Sequence, residues 1–82
     1  MSGHDKQVLD ALRQAVGEDR FLAAQGAKDL LSEGHLDSYA VLELTARLED
    51  AYGIAISPTQ IGGESYRTLD ALQRLCRDLA KT

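Results

Sequence analysis

The sequence predicts an all-α domain: a small four-helix bundle of three main helices plus a short third helix. Three observations lead there. Apolar residues recur at three- and four-residue spacing in three separate windows. The windows are bounded by residues that start or stop helices, namely Gly17, Asp37, Gly53 and Thr68. A strand-like alternation occurs briefly at Ile54-Ala55-Ile56, and no second such run is available to pair with it.

His4 to Val16 reads as the first helix, with Val8, Leu9, Leu12, Ala15 and Val16 as its apolar stripe and Gly17 as its stop. Met1-Ser2-Gly3 is expected to fray. Residues 17–36 read as a long connection, with Asp19 capping a short turn through Phe21, Leu22, Ala23 and Ala24. Leu30 and Leu31 are expected to pin this connection to the core, because twenty structureless residues are unusual in a compact domain. Asp37 is a good N-cap, Ser38 takes the first helical position, and the helix runs to Tyr52 with Gly53 as its stop. At 100° per residue, Val41, Leu44, Leu48, Ala51 and Tyr52 share a face that predicts the core. Tyr39, Leu42, Glu43, Ala46, Glu49 and Asp50 lie opposite. Ile54-Ala55-Ile56 is expected to be an extended segment burying both isoleucines. Ser57-Pro58 begins a turn or short helix, Gly62-Gly63 breaks it, and Glu64 to Arg67 forms the short third helix. Thr68 caps the last helix, Leu69 to Lys81, whose stripe is Leu69, Leu72, Leu75 with Cys76, and Leu79.

Eighty-two residues are enough for a single domain, 1–82, with one thin core. Trp is absent and Phe occurs once, so that core must be aliphatic. One Cys excludes an internal disulfide and a cysteine-rich zinc site. Its place on the last apolar stripe predicts a buried residue rather than a reactive thiol. No signal peptide and no apolar run near the ~20 residues of a membrane span is present. The cytoplasm is the expected location, and a monomer the expected state.

Charge is unevenly spread. Asp29, Glu33, Asp37, Glu43, Glu49, Asp50 and Glu64 share the central stretch with one base, Arg47, which leaves −6 there and +2 across the two ends. Nucleic acid is disfavoured as a partner, since phosphate backbones need a basic patch. The acids suit a basic protein surface or, more simply, a solvated face. The mixture of carboxylates with Tyr39, Leu42 and Ala46 favours a docking surface.

The chemistry concentrates at Asp37-Ser38. A serine in the first turn of a helix sits where backbone N–H groups and the positive dipole end point outward, a good place to hold a phosphate. His35, Asp37 and Ser38 do not make a catalytic triad: adjacent Asp and Ser side chains point apart at a helix start, and no pocket or oxyanion hole is evident. His4 and His35 lack metal-ligand spacing, so no metal site and no catalytic residue is expected. An alternative role is a non-covalent adaptor that docks a partner through the acidic helix face, with Ser38 as an ordinary helix-start residue.

The stretch Asp29-Leu30-Leu31-Ser32-Glu33-Gly34-His35-Leu36-Asp37-Ser38, followed by Tyr39-Ala40-Val41-Leu42-Glu43-Leu44, resembles the phosphopantetheine attachment region of acyl and peptidyl carrier proteins. The likeness continues through Leu48-Glu49, Tyr52-Gly53-Ile54 and Tyr66-Arg67-Thr68-Leu69, covering roughly residues 29 to 80. The spacing Gly34-x-Leu36-Asp37-Ser38 is nearer to D-alanyl carrier proteins and other freestanding aminoacyl carriers than to fatty-acid carriers, which usually place Gly one residue closer to Asp. Tyr39 stands where the family usually has Leu or Met, and Ala46 where fatty-acid carriers often have a larger apolar residue. Both departures bear on the partner set. The resemblance implies that Ser38 carries 4′-phosphopantetheine, transferred from coenzyme A by a phosphopantetheinyl transferase, with Asp37 capping the helix and contacting that enzyme. It implies a partner surface at Tyr39, Leu42, Glu43, Ala46, Glu49 and Asp50. The implied partners are an adenylating or ligase-type loading enzyme and a downstream acyl-accepting enzyme. The chain itself is then no enzyme but a carrier of acyl or aminoacyl thioesters.

Overall fold

Val8, Leu12, Leu44, Leu48 and Leu72, from all three main helices, are fully buried in one core. In the computed structural model, residues 3–81 are described. Among them the chain forms α1 (Gly3–Val16), α2 (Glu18–Ala24), α3 (Ser38–Tyr52) and α4 (Leu69–Ala80), with a 3-10 turn at Glu64–Tyr66. No strand occurs among the described residues. α1 packs against α2, α3 and α4, and the 3-10 turn packs against α4. The Cα extents are 32 × 29 × 19 Å. The shortest, about two helix diameters, is one layer of helices on another, so the core is one seam thick.

The first helix forms as its stripe predicts, with Val8, Ala11 and Leu12 buried and Leu9, Ala15 and Val16 half-buried beside them. Gly3, expected to fray, is instead its first residue; Met1 and Ser2 lie outside the described residues.

The connection 17–36 differs from expectation. It begins with a true helix, α2, and Asp19 does not cap it. Gly17 holds the N-cap position at φ 90°, a conformation that only glycine adopts freely. That reversal lets the helix start at Glu18, which leaves Glu18 and Asp19 in the first turn, facing the positive end of the dipole. Phe21 and Ala24, one turn apart, are buried, and Arg13 of α1 stacks over the Phe21 ring at 4.8 Å.

In α3 the buried set is Ala40, Val41, Leu44, Thr45 and Leu48. Ala51, assigned by periodicity to the core, is exposed. It lines a cleft of about 240 Å³ with Gln7, Asp10, Ala11 and Gln14 of α1, so what stands across from it is mostly polar. Gly53 ends the helix at φ 65°, and Gly53 and Ile54 both donate their N–H to the Glu49 carbonyl. Ile56 is buried, whereas Ile54 is only half-buried. Ser57-Pro58 makes a turn and no helix, closed by the Gln60 N–H on the Ser57 carbonyl at 2.8 Å. The short third helix is one 3-10 turn. It buries Tyr66 completely, and the Tyr66 hydroxyl shares a hydrogen bond with the hydroxyl of Thr45. Thr68 caps α4 as predicted, accepting the Ala71 N–H at 3.0 Å. Cys76 is fully buried, and burial pushes its thiol pKa up to about 11.

Candidate functional site

Ser38 stands at the mouth of α3, exposed, at the end of a turn that is wired to itself. The wiring starts at Leu30. This residue is buried, donates its N–H to the Arg67 carbonyl at 2.6 Å, and accepts the N–H groups of His35 and Leu36 at 3.0 and 3.1 Å. The turn therefore folds back on one carbonyl, fixed to the segment just before α4. Asp29 accepts the N–H groups of Leu31 and Ser32 at 3.0 and 3.1 Å, and Glu33 those of Lys28 and Asp29 at 3.0 and 3.2 Å. N–H groups at a turn need partners, and here two carboxylates supply them. Hydrogen bonds from Ser32 to Asp29, and from Lys28 and Asp29 to Glu33, hold both carboxyls below the usual range.

The predicted cap is in place. Asp37 is extended, and its Oδ1 accepts the Ala40 N–H at 2.8 Å. That hydrogen bond holds the Asp37 carboxyl below its ordinary range, and Arg20 of α2 adds to the effect, with its guanidinium 3.4 Å from Oδ2. Arg20 lies 17 residues upstream, and nothing in its local sequence announces the contact. Beside Ser38 runs an open groove of about 420 Å³, walled by Leu31, Leu36, Val41, Leu42 and Gly62. Gly62 belongs to the turn after Pro58 and was not marked by sequence spacing as part of any site.

The face opposite the core keeps its mixed character in the structure. Tyr39 is 72% exposed and Leu42 62% exposed, one turn apart, and Ala46 and Asp50 are exposed further along. The two glutamates are less free. Glu43 pairs with Arg47 at 2.8 Å, and Glu49 accepts the Ile56 N–H at 2.8 Å, which ties the end of α3 to the extended segment after it. Both are half-buried. Asp50 is the acid of this face that remains fully exposed. Groups of histidine, cysteine and carboxylates able to hold a metal ion are absent among the described residues, and no helix there is long and apolar enough to cross a membrane.

Comparison with known proteins gives the same picture. The family model described as the phosphopantetheine attachment site matches residues 6–76. The D-alanyl carrier protein of Abiotrophia defectiva is 31% identical over 71 residues, covering 87% of this chain and 85% of that protein. No solved structure gives a significant match. The match spans α1 to the buried end of α4, so it takes in the core and the α3 mouth together, and the chain belongs to the phosphopantetheine-attachment family: it is a carrier protein whose prosthetic group is 4′-phosphopantetheine.

Proposed function

We propose that Ser38 is the attachment residue and that the domain shuttles an aminoacyl or other acyl group between partner enzymes. The observation that carries this reading is the placement of Ser38. It is an exposed hydroxyl at the first position of a capped helix, on the rim of an apolar groove. These residues fit the group. The helix mouth favours the negative charge of a phosphodiester by about 0.3–1 kcal/mol at an exposed site. Arg20 offsets the neighbouring charge of Asp37, and Leu31, Leu36, Val41 and Leu42 offer apolar walls to a flexible arm. The arm supplies a terminal thiol, on which cargo is held as a thioester. Everything else falls to the protein: Asp37 caps the helix and presents a carboxylate to a phosphopantetheinyl transferase, while Tyr39, Leu42, Ala46 and Asp50 form the docking face, flanked by Glu43 and Glu49.

The cargo is taken to be an amino acid. The spacing from Gly34 to Ser38 and the D-alanyl carrier relative both support this. Loading then falls to an adenylating or ligase-type enzyme and unloading to an acyl acceptor, each bound briefly, because tight binding slows hand-off. The chain is acted on rather than acting, and the cytoplasm, which holds coenzyme A, is the location that suits this role. A non-covalent adaptor would use the same Tyr39 and Leu42 but leaves the placement of Ser38 without a role.

Incubating the protein with coenzyme A and a broad-specificity transferase tests the reading by intact mass. One phosphopantetheine is expected on the wild type and none on Ser38→Ala. No adduct, or an adduct that persists in Ser38→Ala, defeats it. Asp50→Lys is expected to weaken loading of the primed protein by several-fold while leaving helix content unchanged, as for an exposed rim charge. Unchanged loading kinetics would reduce this acid to a solvated surface residue.

A further inference from the structure

Glu33 lies outside both the helix mouth and the groove, yet it joins the two ends of the turn between them. Its Oε2 accepts the Lys28 and Asp29 N–H groups at 3.0 and 3.2 Å, where the chain enters the turn. Its Oε1 stands 3.3 Å from His35 Nε2, where the chain leaves it, three residues before Ser38. The backbone of His35 and of Leu36 is held again by the Leu30 carbonyl. Leu36 is buried, walls the groove, and leads directly into Asp37 and Ser38. The titratable and charged groups around Glu33 are His35, which faces it, and Asp29, whose own carboxylate pairs with Arg67 at 3.6 Å.

We propose that Glu33 is a positioning residue for modification at Ser38: its carboxylate clasps the turn and so sets where the hydroxyl and the Leu36 wall stand when a transferase docks. This rests on the reading that Ser38 carries the prosthetic group. The Glu33 side chain is 44% exposed, so its charge is screened and its share of global stability is small. Between its buried anchors Leu30 and Leu36 the turn is exposed at Ser32, Glu33 and Gly34, so it opens more easily than the helices it joins, and the Glu33 clasp adds to the Leu30 and Asp29 bonds that hold it closed. The effect therefore belongs in recognition of the carrier, a KM term, and not in the melting transition or in kcat, because Glu33 touches no reacting atom.

The experiment uses the full chain with coenzyme A and a broad-specificity transferase, comparing wild type, Glu33→Ala and Glu33→Gln. Glu33→Ala is expected to raise KM for the carrier roughly threefold to tenfold, with kcat within about twofold. Its melting temperature is expected within about 4 °C of wild type. Glu33→Gln keeps an acceptor oxygen for the two N–H groups and is expected to recover most of the loss. In wild type, the Lys28 amide resonance is expected to follow the Glu33 carboxyl titration as pH is lowered; in Glu33→Gln it loses that response. A primed wild type with a Glu33→Ala protein of unchanged KM overturns this inference alone. So does a Glu33→Gln protein as impaired as Glu33→Ala. If Glu33→Ala loses its fold, the wild-type Lys28 amide decides, and its failure to sense the Glu33 carboxyl overturns the clasp. A wild type that accepts no adduct overturns the Ser38 reading, and this inference with it.

Discussion

Asp37 shows how one carboxylate can serve a helix and a site at once. It satisfies the Ala40 N–H, which has no intrahelical partner, and it also places a negative charge next to Ser38. Arg20 makes that charge tolerable, although both side chains are more than half exposed and the pair is screened by salt. The pH dependence follows from direction alone. Asp29, Glu33 and Asp37 are all held below the ordinary carboxylate range by backbone N–H donors. A depressed folded-state pKa contributes stability that is present above the unfolded value, about 4, and is lost as pH falls through the folded value. The turn and the α3 mouth are therefore expected to loosen below about pH 4, before the core melts. Amide hydrogen exchange at residues 28–40 against that in α4 measures this; simultaneous loss of both would refute it. Asp37→Asn retains a capping side chain and is expected to remove that residue's share of the acid sensitivity.

At the scale of elements, α3 is a helix with two audiences. Its buried side holds Leu44 and Leu48, and its exposed side offers Tyr39 and Leu42. Between them sits Thr45, a buried polar residue that the apolar pattern did not mark. Its hydroxyl donates to the Val41 carbonyl at 2.8 Å and also meets the Tyr66 hydroxyl, joining α3 to the 3-10 turn across the core. The Tyr66 phenol pKa is raised by burial, so the hydroxyl stays protonated and able to share this bond. The two partners are not equivalent. Tyr66→Phe leaves Thr45 its carbonyl partner and is expected to cost about 0.5–1.5 kcal/mol. Thr45→Val strands a buried phenol hydroxyl and is expected to cost about 1–3 kcal/mol. Urea denaturation of both variants checks the order, and an equal or reversed order would mean the tie is not the bond that links these elements. The same logic separates the acids: Glu49 is occupied by the Ile56 N–H, whereas Asp50 is exposed.

For the whole molecule, a single thin seam carries the fold, mostly aliphatic as its composition predicts but with Phe21 and Tyr66 also buried in it. Leu48 is fully buried in it, so Leu48→Ala is expected to cost about 2–5 kcal/mol, read as a lowered denaturation midpoint with helical content retained in buffer. A fully stable variant would contradict the core assignment. How much of this was legible differs from place to place. The stripes of α1 and α4, the caps Asp37 and Thr68, and the stop at Gly53 are properties of neighbours within one or two turns of chain. Local periodicity and capping chemistry therefore determined the three main helices and the position of Ser38 at a helix mouth. What faces what was decided elsewhere. Ala51 left the core because α1 presents Gln7, Asp10 and Gln14 across from it. Arg20 reached Asp37, 17 residues on, from α2, which is docked on α1 beyond the Gly17 turn. Gly62 became a groove wall, and Thr45 found Tyr66 21 residues away. Such contacts depend on how rigid elements are docked in space, and spacing along the chain carries no record of that distance.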